Sequence, residues 1–235
     1  QALDKQSRFA EANEVARVFP AGQVPGHMVS AFTNACAKVA DYDTLTAGGS
    51  VFEMLAQAQP SQLPDQVGLN SVRGQTRSDA DVDAYIKLQR RWADAQTDAA
   101  RQNPIGDRPR AGRDRIRLGM FGLSNIPALR SLIAPVMGKL DSERFERVLA
   151  FSSAKNALPQ AERERISGVC DAFHELTAGD NRQIARDLAE LDLDILIDLN
   201  GLQQPGTRVG ALAWRPAGVQ MTWAGTPNSC PLSPL

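Results

Sequence analysis

The sequence predicts an α-helical segment followed by an α/β domain built on a parallel sheet. Two observations carry that expectation. Up to about residue 58 the apolar residues recur every three to four positions. Beyond Arg113 short apolar runs alternate with stretches of roughly a dozen residues at helical spacing, the pattern of parallel strands joined by covering helices.

Taken in order, Phe9, Ala12, Ala16 and Phe19 line one face of a first helix, which Pro20, Gly22, Pro25 and Gly26 end. A second helix is expected over 28–39. A third is expected over 50–58, with Gly48 and Gly49 before it and Pro60 after it. Such helices suit the end of a tetratricopeptide-like repeat array or a plain bundle, and no two copies match at a fixed period. Residues 60–79, rich in Gln, Pro, Ser, Gly and Arg, read as a loop. A helix over 81–101 follows, with Val82, Tyr85, Leu88, Gln89 and Trp92 along one face. Residues 103–112, with two prolines and two glycines, read as a linker. Strands are expected over 116–123, 145–151, 195–199 and 219–223. Helices are expected over 127–139, 158–166, 180–191 and 207–214, with Asp180 as an N-cap. The expected division is a helical segment 1–59, a linker with its helix 60–112, and the sheet domain 113–235.

A chain of 235 residues, 43% hydrophobic and 23% charged, can bury a substantial core. Its formal charge of −1 gives no general attraction to nucleic acid or to an anionic membrane, so neither partner is expected. The basic cluster Arg108, Arg110, Arg113, Arg115 and Arg117 is interrupted by Asp107, Pro109, Gly112 and Asp114 and reads as a solvated linker. Cys36, Cys170 and Cys230 do not form a disulfide framework, and a reducing cytoplasmic setting is expected. With His27 and His174 as the two histidines, no metal-ligand spacing is present. No run of about 18 apolar residues and no export signal is visible. The first residue is not Met, so a longer precursor is expected.

The chemical interest centres on 194–201, DILIDLNG. Asn-Gly after a strand is ordinary turn chemistry, because Gly accepts positive φ and Asn bonds its own backbone. The same corner lies where open α/β sheets bind ligands, beyond the carboxyl ends of their strands. Asp198, between Ile197 and Leu199, needs amides or a cation if buried, and Arg208 or Arg215 could supply one. GMFGLS, 119–124, could bring backbone amides to a phosphate, yet it lacks the glycine spacing and lysine of a phosphate loop and suits a plain strand-to-helix turn. His174, in DAFHELT, reads first as a structural imidazole and only second as a base.

Read together, the residues from Asp194 to Pro227 resemble the protein O-GlcNAc transferase-like glycosyltransferases, in which tetratricopeptide helices precede a two-lobed GT-B catalytic region. In that family a strand ending in Asp-Leu-Asn-Gly leads through a Gly-x-Arg helix into Arg-Pro-Ala-Pro, then Gln, then Trp-Leu-Gly-Tyr-Pro-Gly. Asp198, Leu199, Asn200, Gly201, Arg208, Arg215, Pro216, Ala217, Gln220, Trp223, Gly225 and Pro227 match in order. A looser likeness extends back to about residue 36. The resemblance implies a Rossmann-like amino-terminal GT-B lobe. It further implies sugar transfer from a nucleotide donor to Ser or Thr hydroxyls of protein acceptors, with GlcNAc or fucose as the sugar, UDP-GlcNAc the expected donor and no separate cofactor. Asn200, Gly201 and Arg208 are then expected to shape the cleft floor, and Gly225 and Pro227 its acceptor-side loop. Arg215 and Trp223 are expected to be structural. The helical segment leaves room for self-association.

Departures weaken the catalytic expectation. Where the family has His after Asn in the turn following its first strand, this chain has Ile126 after Asn125; Leu202, Gly218, Ala224, Thr226 and Asn228 depart as well. The chain stops at Leu235 without a nucleotide-binding lobe, so it is expected to be truncated and inactive alone. The alternative is a degenerate, non-catalytic protein-binding module.

Overall fold

The computed structural model describes residues 6–19, 24, 28–47, 50–56, 72–106, 112–122, 129–152, 159–176, 179–199 and 209–223. The chain divides into two compact units, Gln1–Ala95 and Gln96–Leu235.

The first unit is helical. It contains α1 (Phe9–Ala16), α2 (Val29–Lys38), α3 (Tyr42–Thr46), α4 (Val51–Ala56) and most of α5 (Asp79–Gln102). Phe32, Cys36, Val51, Phe52, Leu55, Tyr85, Leu88 and Trp92 are buried in it. Polar groups fix the helix ends. Ser50 and Glu53 form a capping box on α4: the Ser50 Oγ accepts the Phe52 N–H at 3.2 Å, and Glu53 accepts the Ser50 N–H at 3.1 Å. At the far end of α4 the Arg91 guanidinium donates to the carbonyls of Leu55 and Ala56, which have no helical partner. Asp41 caps α3 and also accepts from Asn13 Nδ2 at 2.9 Å and Arg17 Nε at 2.7 Å, which ties α1 to the start of α3. These bonds, led by Asn13 and Arg17, hold the Asp41 carboxyl well below the usual carboxylate range. Burial pushes the Cys36 thiol up to about 11, so it stays protonated and unreactive at neutral pH.

The second unit is an α/β domain. Five parallel strands among the described residues, β1 (Ile116–Gly122), β2 (Phe145–Ser152), β3 (Ala172–Leu176), β4 (Ile195–Asp198) and β5 (Val219–Thr222), lie in the order β3-β2-β1-β4-β5. This is the Rossmann order, which extends in two directions from β1. One face carries Leu118, Met120, Leu149 and Phe151 against Ile133 and Met137, with Ile166 and Cys170, from α6 (Ala134–Lys139), α7 (Gln160–Ser167) and their ends. α8 (Asn181–Glu190) buries Ile184, Ala185 and Leu188, and beside it a 3-10 turn, Val209–Trp214, buries Val209, Ala211 and Leu212. The Gln220 side chain of β5 donates to the Leu212 carbonyl at 3.2 Å, which joins the 3-10 turn to the sheet.

Local chemistry explains most boundaries. Asp180 accepts the Gln183 N–H at 2.8 Å and caps α8 as the sequence predicts. The helix expected over 127–139 begins, among the described residues, as a π turn, Leu129–Ile133, before α6. Pro135 has no N–H for the Ser131 carbonyl and its ring would press on that oxygen, so the chain widens just ahead of it. The helix expected over 207–214 is a 3-10 turn in its described part.

β3 is an addition to the expected strands. Its sequence, AFHEL, contains no β-branched residue and places His174 and Glu175 inside the strand. It forms one edge of the sheet and four of its five residues are half-exposed. Tertiary pairing with β2, in which Ala150 faces His174, makes it a strand where local propensity does not.

Candidate functional site at the carboxyl rim

Where the order of strands reverses, neighbouring loops leave the sheet in opposite directions and open a crevice. Here the reversal lies between β1, whose connection runs to β2, and β4, which the chain reaches after β3. The switch point of the sheet therefore lies between the carboxyl ends of β1 and β4. Phe121 pairs with Asp198, and Asp198 with Thr222, in one row across the rim. The ladder runs one step further on each side. Leu199 donates its N–H to the Phe121 carbonyl, and Trp223 to the Asp198 carbonyl, each at 2.8 Å.

Two glycines of β1 are explained by close approach. A Cβ on Gly119 would lie 2.4 Å from Leu193 Cδ1, and one on Gly122 would lie 2.7 Å from Leu199 Cβ. The smallness of GMFGLS thus serves packing within and beside the strand; Leu123 and Ser124 lie outside the described residues.

Asp198 is completely buried. Arg215, at φ +52° and exposed, stands ahead of β5, whereas Asp198 aligns with the last residue of that strand. Trp223 packs against the core cluster beneath the rim, in keeping with its structural reading.

Two ion pairs join the helix starts along the rim. Arg130, in the π turn after β1, forks onto Glu162 in the first turn of α7, with Nε 2.9 Å from Oε2 and Nη2 on the other oxygen. Glu162 is 3% exposed, and Arg130 holds its carboxyl below the ordinary range. The next residue, Arg163, pairs with Glu175 near the end of β3. The first turn of α7 thereby grips both of its neighbours. Sequence reading missed this pair of contacts, since Arg130 and Glu162 are 32 positions apart and no local pattern links them.

His174 lies two strands from the crevice. Its Nε2 is buried without a hydrogen-bond partner among the described residues. Burial, and then the Arg117 charge, lower its pKa, so it is a neutral imidazole at pH 7. Asn200, Gly201, Arg208, Gly225, Pro227 and Ile126 lie outside the described residues. Among the described residues no cluster of His, Cys, Asp or Glu could hold a metal, and no helix is long and apolar enough to cross a membrane.

The rim-forming strand β4 is the one that runs into Asp-Leu-Asn-Gly, and a curated protein shares sequence with this chain. The probable UDP-N-acetylglucosamine--peptide N-acetylglucosaminyltransferase SPINDLY of Eustoma exaltatum subsp. russellianum is 32% identical to it over 91 residues. Over those residues the chain resembles an O-GlcNAc transferase-like glycosyltransferase. The matched residues make up 38% of this chain and 10% of that plant protein, so the chain spans a tenth of its relative's length. A mutant of the Thermobaculum terrenum O-GlcNAc transferase superposes with a TM-score of 0.46 at 17% identity, covering 98% of this chain and 52% of that one. No protein-family model matches the sequence. The α/β fold expected of such a lobe is the fold observed.

Proposed function

We propose that this chain carries the amino-terminal lobe of a two-lobed glycosyltransferase that moves a sugar from UDP-GlcNAc to Ser or Thr hydroxyls of proteins. One observation supports the reading above the others: β4, the strand entering Asp-Leu-Asn-Gly, ends at the switch point of the sheet, where open α/β sheets bind their ligands. On this reading Asn200 and Gly201, with Arg208, shape the cleft floor, and Gly225 and Pro227 its acceptor side. The helices of the first unit end a tetratricopeptide array that presents protein substrates, and the reaction takes place in the cytoplasm without metal or cofactor.

In the transfer, the acceptor oxygen bonds to the anomeric carbon and gives up its proton, which passes to water or to the departing diphosphate. The bond from that carbon to the diphosphate oxygen breaks, and its electron pair leaves with the nucleoside diphosphate. Charge builds on the diphosphate, so preorganised donors facing it lower the barrier most. A second lobe supplies those donors, while this one supplies the acceptor wall.

The test is to incubate the two-lobed protein that contains this chain with UDP-GlcNAc and a mixture of protein acceptors, then read acceptor mass. The expected result is an added N-acetylhexosamine, reduced about 100-fold in Asn200→Ala and Arg208→Ala through misplaced reactants. If neither mass gain nor calorimetric binding of UDP-GlcNAc occurs, the reading fails. The second reading, a non-catalytic protein-binding module, then takes its place; Ile126, standing where the family has histidine, favours it.

A further inference from the structure

We draw no further inference here: the strongest candidate, the half-exposed apolar face that Val219 and Met221 form beside Ile195 and Ile197 on the β4–β5 side of the sheet, carries nothing because nothing in the structure shows what covers it.

Discussion

Gly122 and Leu199 approach so closely that a Cβ on the glycine would stand 2.7 Å from the leucine Cβ. A β-carbon is fixed by the backbone and cannot swing aside, so the strand ends themselves would have to part. Gly122→Ala is expected to cost about 1–3 kcal/mol, the usual range for overpacking. Gly138→Ala provides the contrast. There the new methyl would meet Val169 at 3.8 Å, an ordinary contact, within α6. A gain of up to about 1 kcal/mol is expected from helix propensity. Urea unfolding of both variants checks the opposite signs; equal effects would show that the rim is not tightly closed.

The Arg130–Glu162 pair is asymmetric, since the carboxylate is buried and the guanidinium is half-exposed. Removing the arginine leaves a buried charge with its main partner gone, whereas removing the glutamate leaves a cation that water can reach. Arg130→Ala is therefore expected to lower the unfolding midpoint more than Glu162→Gln does. Arg130→Lys should fall between them, because an ammonium cannot fork onto two oxygens. Denaturant midpoints of the three variants decide this, and an inverted order would refute the asymmetry.

Asp41 titrates below its unfolded value because Asn13, Arg17 and Thr44 bond its charged form. A depressed carboxyl contributes stability above its unfolded pKa, about 3.9, and loses it as pH falls through the lower folded value. The helical unit should hold its stability above about pH 5 and lose it progressively below about pH 4. Asp41→Asn should be less stable at neutral pH and should show a shallower acid slope. Helical circular dichroism followed against urea at several pH values measures both.

Much of the sheet was legible because its inner strands carry apolar runs, such as Val148–Phe151 and Ile195–Ile197, and the edge strand β5 alternates Val219 and Met221 with polar residues. Ile116–Gly122, Phe145–Ser152, Ile195–Asp198 and Val219–Thr222 all fall within two residues of expectation at either end. β3 was hidden for the opposite reason: an edge strand of AFHEL meets too little core to be written in apolar residues. The position of the crevice was half legible. DILIDLNG marks the strand, but the placement of β4 beside β1 depends on crossovers that no local pattern records. The rim clamp of Arg130, Glu162, Arg163 and Glu175 was illegible because each pair joins separate elements.

His174 offers the sharpest separation of structure from chemistry. Burial holds its pKa below the ordinary value of 6.5, so the folded state disfavours the imidazolium. For a histidine shifted in that direction the stabilising difference is complete above the unfolded pKa and is lost as pH falls below it toward the folded value. Wild-type stability should thus decline as pH drops from about 7 toward 5, and His174→Gln should flatten that decline. Its place two strands from the β1–β4 crevice also predicts that His174→Gln keeps whatever transfer activity the wild type shows. Stability measured against pH, together with the acceptor mass assay, separates the two roles. Loss of transfer in a variant of unchanged stability would make His174 a participant in the chemistry and move the reacting centre toward β3.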